Sequence, residues 1–265
     1  MNRLSSLLLL SLVMGLASTS FGQSKNKVFT VNGVSFEMIY VFGGDYKMGA
    51  TPEQGEDAEA DEKPPHTVTV DGFYIGKFEV TQDLWKALMP INPSFHKGDR
   101  LPVEQVNYKD IAEFINKLNE ATGRTFRLPT EAEWEFAARG GNISRGYKYS
   151  GSNDIERVAV YAENSYKKGR THPKYGTHEV GSLAPNELGI YDMSGNVWEC
   201  CSDKYARYDS YNLNIGDIDP LMYYSLVNRG GGWAHDAKSC RVSNRNYGKS
   251  TRYSDRGFRL ALDVH

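Results

Sequence analysis

The chain is organised around PNELGIYDMSGNVWECC, residues Pro185–Cys201. Gly189 and Gly195 mark turns in this stretch, because glycine adopts positive φ angles at little cost. Asn196 and Glu199 lie three residues apart beside the second turn, and oxygen ligands of this kind suit a hard cation such as calcium. The alternative is a core-lining turn with a solvated glutamate. The spacing alone favours that alternative.

Composition limits the class of protein. The chain has 265 residues, of which 40% are apolar and 24% charged, so it is long and apolar enough to bury a sizeable core. Its net charge of −2 gives no reason to expect a nucleic-acid partner or an anionic membrane surface. No internal repeat or change of composition divides residues 23–265, which we interpret as a single domain.

Residues 1–22 have the pattern of a secretory signal peptide. Arg3 supplies the positive start, Leu7–Leu16 the apolar run, and Ser20-Phe21-Gly22 a small-residue cleavage site. The apolar run is too short to span a bilayer, and no cysteine near the cut would carry a lipid anchor. The sequence therefore predicts an exported protein, periplasmic or secreted, without a membrane anchor.

Three cysteines, Cys200, Cys201 and Cys240, all lie in the last third of the chain. An oxidising compartment permits one disulfide and leaves one spare thiol. Adjacent cysteines rarely bond to each other, because the peptide between them is strained. The pairings left open are Cys200–Cys240 and Cys201–Cys240, and we predict the second.

Several secondary-structure elements follow from local patterns. Alternation around Asn32-Gly33 predicts a hairpin, and His66–Val70 reads as another strand. Helices are expected after three capping residues, Thr81, Asn107 and Thr130, the last forming a capping box with Glu133. The acidic segment Glu53–Glu62 is expected to be an exposed loop, its carboxylates either solvated or holding a cation.

Residues Asn142–Ser182 are poor in apolar side chains and rich in Gly, Lys, Tyr and Asn. A loop of this length in a compact domain is functional or is held in place by something else. A bound ion is one candidate, with Asn164 as a plausible ligand.

The segments taken together resemble the sulfatase-modifying-factor family, whose founding activity is that of the formylglycine-generating enzyme. The resemblance runs in the same order from about residue 38 to the end of the chain. The matching segments are Met48-Gly49, His66-Thr67-Val68, Lys77–Thr81, Arg127–Gly141, Pro185–Asp203, Arg229–Trp233 and Gly257–Leu260.

The resemblance implies an α+β domain with the formylglycine-generating-enzyme fold, which is C-type-lectin-like and has little regular secondary structure. It also implies structural calcium. The family segment matching Gly195–Glu199 supplies an Asn and a Glu to one calcium ion, so Asn196 and Glu199 become the preferred metal ligands. Asn164 is assigned to a second site.

The activity transfers less directly than the fold. In the family, two active-site cysteines hold copper, and soft thiolates select copper(I). Counting forward from Gly230 places His235 and Cys240 at these two positions, whereas counting back from Gly257 makes Cys240 non-catalytic. Either way the thiolate pair is missing, and His235 and Cys240 are the only catalytic candidates.

Two functions therefore remain. The first is a non-catalytic exported protein that binds a protein or glycan partner through a surface containing Trp233, Arg241 and Arg245. The alternative is a copper-dependent oxidase that converts sulfatase cysteines to formylglycine.

Overall fold

The computed structural model describes residues 25–208, 226–248 and 251–264. The leader predicted for residues 1–22 lies outside these ranges. Within them, the helices are all too short or too polar to cross a membrane.

The described part of the chain forms three α-helices and eleven β-strands. The helices are α1 (Gln82–Lys86), α2 (Tyr108–Thr122) and α3 (Glu131–Ala138). The strands are β1 (Lys27–Val31), β2 (Val34–Val41), β3 (Gly44–Met48), β4 (His66–Val70), β5 (Phe73–Gly76), β6 (Phe126–Arg127), β7 (Trp198–Lys204), β8 (Leu226–Arg229), β9 (Arg245–Gly248), β10 (Arg256–Gly257) and β11 (Ala261–Asp263).

The first sheet is antiparallel and has the strand order β1-β2-β5-β11-β6. Its first hairpin turns at Asn32 and Gly33, whose φ angles are 47° and 83°. Two successive positive φ angles give the turn whose twist matches that of the flanking strands, so the predicted hairpin is confirmed. Strands β3 and β4 form a separate two-stranded ribbon.

Both faces of the first sheet are covered. Successive side chains on a strand point to opposite faces, so Met38 and Ile39 of β2 enter different core clusters. The Met38 face packs against α1 and α2, where the rings of Trp85 and Phe114 stack with centroids 5.1 Å apart. The Ile39 face packs against α3, including the fully buried Trp134.

The helix caps are largely those that the sequence predicts. Asn107 accepts hydrogen bonds from the backbone N–H groups of the first turn of α2, and Thr130 and Glu133 form the capping box of α3. Helix α1 differs, because the Thr81 hydroxyl donates to the Asp83 carboxylate and makes no capping bond to the backbone. This helix ends at Lys86 and has only five residues.

The second sheet has the order β10-β7-β8-β9, with β10 parallel to β7. Strand β7 carries Cys200 and Cys201, and the alternation of its side chains places Cys200 in the α2 core and Cys201 in the α3 core. Cys240 lies in a third cluster with Tyr149 and Tyr161. All three thiols are free and buried. The predicted Cys201–Cys240 disulfide is therefore not formed, because its two cysteines belong to different clusters.

The segment predicted to be a long loop, residues 142–182, contains only short 3₁₀ turns such as Ile155–Arg157 and Tyr166–Lys168. The fold is α+β with much irregular structure, as expected for a C-type-lectin-like domain.

Candidate functional site

Glu199, one of the predicted calcium ligands, lies on β7 and is fully buried. Its carboxylate accepts hydrogen bonds from Arg259 Nε at 2.5 Å and Nη2 at 2.6 Å, and from Trp134 Nε1 at 2.7 Å. The pairing of β10 with β7 brings Gly257 opposite Glu199 and so carries Arg259 to this position. The guanidinium therefore supplies a positive charge directly at the carboxylate.

Asn196, the second predicted ligand, has a left-handed backbone with φ of 61°. Its Oδ1 accepts a hydrogen bond from the His178 N–H at 2.9 Å, and its Nδ2 donates to Glu79 Oε2 at 2.6 Å. Glu79 also accepts from the Val197 N–H at 3.1 Å. Asn196 and Glu199 are thus directed at different protein partners.

Asn164 closes a local turn. Its Oδ1 accepts from the Tyr161 N–H at 2.9 Å, and its Nδ2 donates to the carbonyl oxygen of Ala159 at 2.9 Å. In this arrangement Asn164, Asn196 and Glu199 do not form an open set of oxygen ligands. The calcium sites assigned to these residues stay predictions.

The charges around Asn196 and Glu199 are not balanced. Burial and the neighbouring carboxylates of Asp192 and Glu199 raise the pKa of Glu79 well above its usual range. Burial likewise raises the pKa of Asp192 to about 6, against the hydrogen bond from the Gly181 N–H that lowers it. Arg259 is the charged partner common to the three carboxylates. Sequence reasoning missed Glu79 and Asp192, although both lie in segments that carry the family resemblance.

The side chains of the two catalytic candidates contact different partners. His235 is partly exposed, and its Nε2 lies 2.7 Å from Asp255 Oδ2. Cys240 is fully buried, and its thiol lies 3.7 Å from the carbonyl oxygen of Asp236. Burial raises the pKa of Cys240, so the thiol stays protonated at neutral pH. Cys240 therefore lacks the setting of a reactive thiolate, and the His235 imidazole is already paired with Asp255.

The predicted binding surface is wrong for two of its three residues. Arg241 is fully buried and pairs with Glu62, while Arg245 pairs with Glu131 at 2.6 Å. Glu62 is itself fully buried, so the acidic segment is not uniformly solvated as expected. Their carboxylate partners come from distant parts of the chain, so the local sequence does not reveal that these arginines are internal.

The carboxylates of Glu59, Asp61 and Glu62 approach within 4.8 Å of one another. Glu62 is neutralised by Arg241, and Asp61 accepts a hydrogen bond from the Tyr205 hydroxyl. The contacts of these two residues account for the cluster without an ion.

Trp233, the third predicted surface residue, lies at the bottom of a cleft of about 480 Å³. Its indole Nε1 donates to the carbonyl oxygen of Ser254 at 2.9 Å, which fixes the ring. The rings of Tyr175 and His96 approach it edge-on with centroids 5.0 Å away, and Tyr166 lies at 5.8 Å. The residues lining the cleft are Phe95, His96, Gln105, Arg170, Tyr175, Trp233 and Ser254.

The local sequence contains one indication of this cleft. Residues 166–175, YKKGRTHPKY, begin and end with tyrosine and carry four basic and no acidic side chains. The pairing of Tyr166 and Tyr175 with Trp233 across the chain was not visible in the local pattern. Phe95 and His96 gave no signal beyond their place in a polar loop.

The comparisons place the chain among proteins of mixed activity. It is 31% identical over 279 residues to the chaperone protein LppX of Paenibacillus barcinonensis, covering 89% of this chain and 90% of that protein. The inactive C-alpha-formylglycine-generating enzyme 2 of Bos taurus is 26% identical, covering 87% and 89% of the two chains. In several longer relatives the matching part makes up 38% of the protein.

Among solved structures, the Treponema denticola variable protein 1 superposes with a TM-score of 0.72 at 31% identity, covering 91% of this chain and 100% of that chain. The model of the sulfatase-modifying factor enzyme 1-like domain matches residues 25–264, nearly all of the described chain. The chain therefore belongs to the family of the sulfatase-modifying factor enzyme 1-like domain.

Proposed function

We propose that this chain is an exported, non-catalytic member of its family that binds a protein or glycan partner at the Trp233 cleft. The cleft carries the proposal. Phe95 is 68% exposed and Tyr166 49% exposed, so two large rings stand in solvent next to a preformed cavity. Exposed aromatic side chains around a concave site are typical of binding surfaces.

The chemistry of the thiols supports a binding role over an oxidase. Copper(I) chemistry at a cysteine pair requires two accessible thiolates. Cys240 is enclosed by Tyr149, Val158 and Tyr161, and His235 is engaged with Asp255. The other two cysteines are buried on β7 in different clusters. This donor set does not provide the two soft ligands of the family's copper site.

The scaffold in this proposal is held by buried ion pairs and by a structural calcium ion. Support for calcium comes from charge, since Glu79 and Asp192 add two buried carboxylates beside the Arg259–Glu199 pair. The side-chain geometry of Asn196 and Glu199 does not add to that support. The ion is therefore tested by its effect on stability.

The binding role is tested with a panel of immobilised glycans and peptides. Phe95→Ser removes an exposed ring that lines the cleft, and Tyr166→Ser removes one that packs on Trp233. Ile143→Ser is the control, because Ile143 is 59% exposed and is not among the residues that line the cleft. We expect panel binding to fall in both cleft variants and to persist in the control. Panel binding that is equal in all three variants contradicts the proposal.

The catalytic alternative is tested on the same protein. Copper-dependent conversion of a CxPxR-type peptide, abolished by Cys240→Ser, would show that the chain is an oxidase. We expect no turnover with or without copper.

A further inference from the structure

The Trp233 cleft is bordered by a basic strap, which we define as residues 166–175. Its cations are Lys167, Lys168, Arg170 and Lys174, and all four are exposed. The tyrosines at its two ends pack on Trp233 and on each other, the latter with ring centroids 5.9 Å apart. The strap therefore holds its charges beside the cleft.

The base of the strap is fixed by Ser165, which is fully buried. Its hydroxyl lies 2.8 Å from the carbonyl oxygen of Lys174 and 2.7 Å from that of Gly176, and it accepts from the Gly176 N–H at 3.1 Å. Gly176 has a φ of 112°, and a Cβ there would lie 2.4 Å from the His96 ring. The closure of the strap thus also positions His96 in the cleft.

Acidic side chains offset little of this charge. Glu163 pairs with Lys167, and Asp255 pairs with His235. Glu104 is fully buried and accepts from the His96 N–H at 2.7 Å. Lys168, Arg170 and Lys174 thus keep their charges exposed at the rim, where they attract an anionic ligand.

The polar groups inside the cleft favour sugar hydroxyls. Both ring nitrogens of His96 are buried without a hydrogen-bond partner, and Nδ1 lies 3.5 Å from Glu104 Oε1, outside hydrogen-bond geometry. Gln105 and Ser254 also line the cavity, and their side chains carry an amide and a hydroxyl. Imidazole, amide and hydroxyl groups each donate and accept, as sugar hydroxyls do. The rings of Phe95 and Tyr175 offer apolar surface to the C–H face of a sugar.

We propose that the Trp233 cleft binds an anionic polysaccharide, whose sugar ring enters the cleft and whose carboxylate or sulfate groups pair with the basic strap. This inference rests on the proposed binding function and specifies its ligand. The aromatic rings and the hydrogen-bonding groups of the cavity favour a sugar, and the cations of the strap favour a ligand with negative charges.

The test is calorimetric titration of the whole protein with four probes: alginate, dextran sulfate, neutral dextran and poly-glutamate. Lys168→Gln with Arg170→Gln removes two charges from the strap. The control, Lys47→Gln with Arg124→Gln, removes two exposed charges elsewhere. We expect alginate or dextran sulfate to bind, the strap variant to lose at least about tenfold in affinity, and the control to change by less than about twofold. Neutral dextran is expected to bind far more weakly, and salt to weaken binding of the anionic probes.

The outcomes separate the two proposals. Poly-glutamate or neutral dextran could bind more tightly than both anionic sugars and lose that binding in Tyr166→Ser. This result overturns the anionic-glycan assignment and leaves a cleft that binds another partner. Anionic sugar binding that is unchanged in the strap variant also overturns it, as does no binding of either anionic sugar. If no probe or panel member depends on Phe95 or Tyr166, both proposals fail.

Discussion

Asp192→Asn is expected to stabilise the protein at neutral pH. Asp192 is buried beside Glu79 and Glu199, and burial raises its pKa to about 6. The folded protein therefore holds the Asp192 proton more tightly than the unfolded chain, in which the pKa is about 3.9. The contribution of Asp192 to the free energy of unfolding falls as the pH rises between these two pKa values, and it is constant above the higher one. An asparagine has no such charge to bury.

The size of the effect follows from the two pKa values. They differ by about 2 units at about 1.4 kcal/mol each, so ionised Asp192 costs the folded state roughly 3 kcal/mol above pH 7. Asparagine keeps an oxygen that accepts from the Gly181 N–H, and it tolerates the left-handed φ of 59° at this position. For a domain of this size, a gain of that order raises the melting temperature by roughly 6–12 °C.

The assay is urea unfolding followed by tryptophan fluorescence at pH 4 and pH 7.5, with EDTA present. We expect the variant to gain about 3 kcal/mol over the wild type at pH 7.5 relative to the difference at pH 4. Taking the change between the two pH values cancels any effect of the substitution on packing. Asp71→Asn, at an exposed aspartate, is the control and should show no such change. A variant whose difference from the wild type is the same at both pH values refutes the reasoning.

Three further outcomes are expected. Excess calcium should raise the melting temperature of the wild type above its value in EDTA, and the rise should be smaller in Asp192→Asn. Equal melting temperatures of the wild type in calcium and in EDTA would mean that protons alone neutralise the buried carboxylates. Glu62→Gln should cost about 3–5 kcal/mol in urea unfolding, because it leaves Arg241 buried without its counter-ion, whereas the exposed Glu56→Gln should cost little; a small loss in both would refute this. A thiol reagent should label the three cysteines only after unfolding. Fewer than three labelled cysteines in denaturant without reductant would reveal a disulfide.

Features fixed by neighbours in the sequence were predictable. The Asn32-Gly33 turn and the capping residues Asn107 and Thr130 act within four residues of themselves, and each has its predicted role. The family resemblance supplied the fold, since its segments recur in order along the chain.

Features fixed by distant residues were not predictable. Arg241 and Arg245 looked like surface cations, because their partners Glu62 and Glu131 lie 179 and 114 positions away. The Cys201–Cys240 disulfide was predicted from spacing, which does not reveal that strand alternation places Cys201 in the α3 core. The cleft at Trp233 depends on the same kind of contact, since the strap reaches it across more than fifty residues of sequence.

Buried arginines hold distant parts of this chain together. Arg229, Arg241, Arg245 and Arg259 are all buried, and each binds a carboxylate from another element. A buried ion pair adds little net stability over apolar packing, but separating its partners is costly. Such pairs therefore select one arrangement of elements that share no ladder of backbone hydrogen bonds, such as α3 with β8 and β9. The rigid frame that results does not depend on the ring of Phe95, which is 68% exposed, so Phe95→Ser should alter binding and leave stability nearly unchanged.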